Sequence, residues 1–265
     1  MRVTRSIIPN LFTLMNLYMG FTAIIYIHQD LYMKAAIFIL IAGIFDMLDG
    51  LVARLTRSTS EFGVELDSLC DAVSFGVAPG YMLYSIYFHQ LGDIGILFSS
   101  FPALAGVVRL ARFNVQLSSF EDKKYFTGLA IPSNALYIIS YLLFYHNNHY
   151  LTETGFLGFC NLQDIAIFFV TLTSSAAMVS RIKFDNIPKP TKKTIRQNPI
   201  VFSVFTIGLI GSIVSKGYFI FPFMLFYLLA SSIRHFFWWI KQIIDHEGDF
   251  DEGNDPEEIP YDIDL

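Results

Sequence analysis

Four aspartates fall in two short stretches, Ile44-Phe45-Asp46-Met47-Leu48-Asp49-Gly50-Leu51-Val52-Ala53-Arg54 and Gly63-Val64-Glu65-Leu66-Asp67-Ser68-Leu69-Cys70-Asp71. On a helix, positions 46, 49, 50 and 53 share one face, and positions 63, 67 and 71 share another. The segment from Leu55 to Phe62 is long enough to turn the chain back, so the two faces can meet. Carboxylates gathered this way repel one another and lose hydration, and divalent cations are the simplest remedy. Oxygen donors of this kind suit Mg²⁺ or Mn²⁺, with water and phosphate oxygens completing the shell. Gly50, Ala53 and Gly63 carry almost no side chain and leave room for a flat ring or a diphosphate against the backbone. Arg54 adds a fixed positive charge for phosphate. A proton or cation relay in a transporter would also explain buried carboxylates, but not the small residues interleaved with them. Helix-end caps would account for one aspartate, not for four in register.

The elements that must position these residues are apolar. The chain of 265 residues is 54% hydrophobic, 16% aromatic and only 15% charged. A soluble domain carries about a quarter charged residues. The excess falls in blocks of roughly 20 residues, the length a helix needs to cross about 30 Å of hydrocarbon. The reading is an all-α polytopic membrane protein with about eight spans, at 9–28, 33–54, 63–89, 93–113, 129–146, 162–182, 199–215 and 218–240. Pro79 and Gly80 are expected to kink the third span, and Pro102 the fourth. The first block follows a short basic stretch with no small-residue cleavage site, so it reads as a retained helix. Cys70 and Cys160 are too few for a disulfide framework.

Charge sets the orientation. Arg2 and Arg5 precede the first span, Arg54 and Arg57 follow the second, and Arg109, Arg112, Lys123 and Lys124 follow the fourth. Arg181, Lys183, Lys189, Lys192, Lys193 and Arg196 follow the sixth, whereas the alternate loops hold only Lys34 and Lys216. This asymmetry places both termini and the aspartates in the cytoplasm and the His146–Asn161 loop outside. The formal charge of −5 hides a basic body: residues 245–265 hold ten acidic groups and no Lys or Arg, leaving 18 basic against 13 acidic elsewhere. Residues 1–244 form the membrane domain, and 245–265 read as a solvated acidic tail without fixed structure. Basic loops beside membrane spans read as topology and lipid determinants, with Phe236–Trp239 as an interfacial belt, and not as a nucleic-acid surface. His146 and His149 sit at helical spacing but lack a third ligand.

The pattern Asp46-x2-Asp49-Gly50-x2-Ala53-Arg54-x8-Gly63-x3-Asp67-x3-Asp71 resembles the signature of the CDP-alcohol phosphatidyltransferase superfamily at every fixed position over 26 residues. Within it the chain is similar to the membrane-embedded type that uses serine as acceptor. The supporting stretches are Ile8–Thr13, Ser58–Gly63, Ser74–Pro79, Arg109–Asn114 and Phe126–Pro132. Ala130 departs from a position where that type often has proline. The resemblance is dense from about residue 7 to 135 and thin afterwards.

The resemblance implies a division of labour. Asp46, Asp49, Asp67 and Asp71 would hold two divalent ions, Mg²⁺ or Mn²⁺, and Asp71 would also act as the base. Gly50, Ala53, Arg54, Ser60 and Gly63 would line the site for the CDP part of the lipid, with Asn10 and Thr13 closing it from the first span. The implied reaction joins CDP-diacylglycerol and L-serine in a homodimeric enzyme of the bacterial cell membrane, and gives phosphatidylserine and CMP. Other acceptors (glycerol 3-phosphate, inositol phosphate, choline) share the motif. Arg109 and Arg112, one helical turn apart, could grip the serine carboxylate through paired hydrogen bonds. They could equally anchor the helix end among lipid headgroups, and the resemblance favours the acceptor site.

Overall fold

The computed structural model describes residues 7–56, 58, 60–118, 128–147, 162–180, 182, 208, 211, 215 and 219–250. Within these the regular elements are all helical: α1 (Ile7–His28), α2 (Tyr32–Thr56), α3 (Glu61–Asp71), a π-helical turn (Ala72–Val77), α4 (Ala78–Ile86), a 3₁₀ turn (Phe88–Leu91), α5 (Gly92–Ser118), α6 (Ile131–Asn147), α7 (Leu162–Val179) and α8 (Ile220–Phe250).

The helices are built inside out relative to a soluble bundle. α1 buries Pro9, Thr13, Asn16, Gly20, Ala23 and Ile27, a stripe of small and polar residues at spacings of three and four. Its opposite face presents Leu11, Leu14, Tyr18, Phe21 and Ile25 outward. α2 repeats the arrangement, burying Ala35, Ala36, Ile39, Ala42 and Asp49 while exposing Ile37, Leu40, Ile44, Met47 and Leu51. Small residues at the contact let helices approach closely in lipid, where no hydrophobic force drives them together. Stretches at Ile7–His28, Tyr32–Thr56 and Phe88–Val115 are long and apolar enough to cross a membrane, and shorter apolar helices cover Ile131–Leu143, Ile165–Val179 and Ile220–His235. Together these make the chain an integral membrane protein. The expected span at 199–215 and the loop carrying His149 and Cys160 fall almost wholly outside the described residues.

The expected third span is not one regular helix. α3 passes into the π turn, where the Ala78 N–H bonds the Val73 carbonyl five residues back, and α4 follows with Pro79 in its first turn. Proline lacks an N–H and its ring collides with the carbonyl four residues earlier. The wider turn before Pro79 relieves that collision without ending the helical run. α5, by contrast, continues through Pro102. α8 runs to Phe250, past the boundary expected at 244. Residues 241–247 hold no glycine or proline, so the backbone ladder outlasts the apolar stretch that set the expected boundary.

Two tight connections fix the frame. Asp30, with φ of 58°, turns α1 into α2, and its carboxylate accepts a 2.7 Å hydrogen bond from the Tyr32 hydroxyl. Gly128, with φ of 83°, lets its N–H reach the Ile182 carbonyl at 2.9 Å, while the Leu129 N–H reaches Ala177 at 3.0 Å. The start of α6 is thereby tied to the end of α7.

Candidate active site

The antiparallel hairpin of α1 and α2 and the first turns of α3 surround one cleft. Ser60 caps α3, accepting the Gly63 N–H at 3.0 Å. This satisfies a helix-end donor and fixes where the chain turns back. The reversal brings α3 against α1 and sets Asp67 opposite Asp46 and Asp49. One carboxylate oxygen from each of these three aspartates lies within 4.8 Å of the others. Asp49 Oδ2 and Asp67 Oδ1 are buried without any hydrogen-bond partner.

A cavity of about 180 Å³ opens beside them, lined by Pro9, Asn10, Thr13, Asp49, Gly50, Ala53, Arg54, Ser58, Ser60, Gly63, Val64 and Asp67. Every residue expected around the CDP part of a substrate is on this wall. A Cβ on Gly63 would come within 3.1 Å of Ser60 Oγ and 3.3 Å of Asn10 Oδ1, so a side chain there would have to push those two groups aside. A Cβ on Gly50 would meet only the Arg54 guanidinium, at 3.5 Å. Packing alone does not demand glycine at that position, and its bareness leaves the wall open beside the arginine.

Asp71 stands apart from the three-carboxylate group. It lies one turn further along α3, 6% exposed, and its Oδ1 accepts a 2.9 Å hydrogen bond from Asn16 Nδ2. Asn16 is held in turn, since its backbone carbonyl accepts the Ser74 hydroxyl at 3.1 Å. Gly20, one turn along α1, makes room for this approach: a Cβ there would lie 2.7 Å from the Ser74 Cα. Neither Asn16 nor Ser74 was expected in the site. The signal was present in the spacing of Asn10, Thr13 and Asn16, which draws a polar line down one face of an apolar helix.

α5 closes the other side. Asn114 Nδ2 donates to Ser68 Oγ at 3.0 Å and to Glu65 Oε2 at 3.3 Å, joining α5 to α3 beside Asp67. Arg109, within Coulombic range of Asp71, has a buried Nε without a partner. Arg112 points a nitrogen at the end of α7, donating to the Val179 carbonyl at 3.0 Å. The two arginines expected to act together are thus differently engaged.

Residues 6–184 match the CDP-alcohol phosphatidyltransferase family. The chain belongs to that family. It is 34% identical over 240 residues to the CDP-diacylglycerol–serine O-phosphatidyltransferase of Helicobacter pylori, covering 89% of this chain and 94% of that relative. It is 31% identical to the enzyme of the same name from Methanocaldococcus jannaschii over 84% of this chain and 91% of that relative. The archaetidylserine synthase of Methanothermobacter thermautotrophicus is 34% identical over 68% of this chain and 70% of its own length. The group Asp46, Asp49 and Asp67 has the donor chemistry for a divalent cation, and its two orphaned oxygens fit one. Unpaired buried carboxylate oxygens are costly unless an ion or a donor meets them.

Proposed function

We propose that this family member transfers the phosphatidyl group of CDP-diacylglycerol to L-serine, giving phosphatidylserine and CMP. The carrying observation is a metal-ready carboxylate group sharing a cleft with bare helix surface and Arg54, next to a separately held aspartate, in a chain whose relatives bear the serine-transferase name. Asp46, Asp49, Asp67 and Asp71 are the ligands proposed for two ions, Mg²⁺ or Mn²⁺. Bound there, the cations would neutralise phosphate charge as it develops on the leaving nucleotide.

The protein's own residues do the rest. Gly50, Ala53, Ser60 and Gly63 admit the nucleotide, Arg54 pairs with phosphate, and Asn10 and Thr13 close the cleft from α1. The serine hydroxyl attacks the lipid-side phosphorus while the bond from that phosphorus to the CMP oxygen breaks, and CMP departs with the electron pair. The hydroxyl proton passes to Asp71, a transfer that contributes about 10²–10⁴-fold when the base is well placed. Asn16 aims the Asp71 carboxylate. The motif holds no histidine, and its one cysteine, Cys70, is buried among the core residues, so displacement is taken as direct. Arg109 and Arg112 form the acceptor side, where a guanidinium fork matches a carboxylate.

The active site faces the cytoplasm of a bacterial cell, where CTP-derived lipid is available, with both termini on that side and the acidic tail from Asp245 in solvent. The enzyme works as a homodimer. Single cysteines at Asn148 and Thr191 in a Cys-free background test the orientation: an impermeant thiol reagent labels the first and spares the second in intact cells. The reverse labelling contradicts the topology. Incubating the purified protein with CDP-diacylglycerol and serine, glycerol 3-phosphate, inositol phosphate or choline tests the acceptor. Serine alone should support rapid CMP release.

A further inference from the structure

Asn16 is fully buried, and only half of its amide is used. The amide donates its NH₂ to the Asp71 carboxylate at 2.9 Å. Its Oδ1 is then left as an acceptor, buried and without a partner. Such an orphan is expensive in a membrane interior, and a ligand that supplies a donor removes the expense. Arg109 Nε, a donor, is orphaned in the same way on α5, and Arg109 is within Coulombic range of Asp71. One unmet acceptor thus belongs to the amide that holds Asp71, and one unmet cationic donor lies on α5.

We infer that Asn16 Oδ1 reads the ammonium group of the acceptor, making Asn16 a specificity-determining residue as well as the residue that aims Asp71. This rests on the proposed use of serine. One amide plane separates Oδ1 from the hydrogen bond to Asp71. That short span matches the two carbons between the hydroxyl and the nitrogen of a 2-amino alcohol. With the hydroxyl at Asp71, the ammonium would donate to Asn16 and the carboxylate would turn to Arg109. Glycerol 3-phosphate and inositol phosphate have no ammonium, and choline's nitrogen has no N–H. All three would leave Oδ1 unmet, and a buried polar group left unmet discriminates more strongly than a missing apolar contact.

The test uses 3-hydroxypropionate, which keeps serine's hydroxyl and carboxylate but lacks the ammonium. CMP release by the full-length protein gives kcat/KM for each acceptor. The parent should favour serine, and Asn16→Leu should reduce that preference by about tenfold to a hundredfold. Asn16→Ser, with a shorter acceptor, should fall between. If Asn16 serves only to aim Asp71, both acceptors lose rate equally, the preference is unchanged, and the inference is overturned. Should Asn16→Leu fail to fold, the same ratio read from Asn16→Ser decides: a fall supports the inference and an unchanged ratio overturns it. A parent protein that releases CMP with glycerol 3-phosphate and not with serine overturns the functional reading and this inference together. A parent that uses serine, with the ratio unchanged in the variants, overturns this inference alone.

Discussion

The two ends of α5 show opposite ways of filling a helical bundle. Toward its first turns Phe98 packs on Phe168 edge-to-face, with ring centroids 5.0 Å apart, and on Phe88 at 6.2 Å. Phe88 is fully buried and meets Phe168 at 5.2 Å in a T-shaped pair. Edge-to-face rings satisfy one another, so this cluster presents no unmet polar atom. Toward its last turns α5 packs against α3, where Asp67 Oδ1 and, on α5 itself, Arg109 Nε are buried with no hydrogen-bond partner among the described residues. That end is incomplete as a structure, and such incompleteness at the carboxylate end marks where ligands belong. Substitutions at the aromatic end should therefore cost stability, and those at the carboxylate end should cost chemistry.

The sharpest break in that contrast is Asp71→Asn. It should lower turnover by about 10²–10⁴-fold while CDP-diacylglycerol binding survives, because the proposed base is lost while Asp46, Asp49 and Asp67 remain to hold an ion at the cleft wall. Single-turnover rates and nucleotide binding, measured side by side, check this. Near-normal turnover would remove Asp71 from the base role. Asp46→Asn and Asp67→Asn should behave differently, weakening metal dependence and nucleotide binding together. A metal titration unchanged in both would refute their role as ligands.

A smaller, more specific effect is expected at the arginines. Arg109→Ala should raise the serine KM by about tenfold to a hundredfold and leave the CDP-diacylglycerol KM nearly unaltered. Arg112→Ala should do the same more weakly, since Arg112 already donates to the Val179 carbonyl. Arg109→Lys should rescue only part, keeping charge without the planar fork. Normal serine kinetics in both alanine variants would return the arginines to a purely anchoring role. At the far end, Phe88→Ala should destabilise the protein by about 3–5 kcal/mol through the cavity it leaves. Its serine KM should not move, and a shift in KM matching that of Arg109→Ala would erase the distinction between the two ends.

The cleft was legible in the sequence because its residues lie close together along the chain and follow helical spacing. Asp46 and Asp49 sit on one turn, Gly63 and Asp67 on another, and a single reversal joins them. The helical, membrane-embedded character was legible from block length and the scarcity of charge. What was hidden required contacts between distant segments. Asn16 meets Asp71 across 55 residues and Ser74 across 58, and nothing local announces either pairing. The separation of Asp71 from the three-carboxylate group was hidden for the same reason, because the spacing 63–67–71 treats all three positions alike. The π turn before Pro79 was legible only as a kink, since a proline shows that the regular ladder must yield but not how.

The central claim is metal-dependent transfer to serine at the carboxylate end, and CMP release from CDP-diacylglycerol by the purified protein, without any ion gradient, tests it most directly. The account predicts release that requires serine, stops when divalent ions are chelated and returns with Mg²⁺ or Mn²⁺. CMP release that is indifferent to serine, or that persists undiminished after chelation, would contradict it.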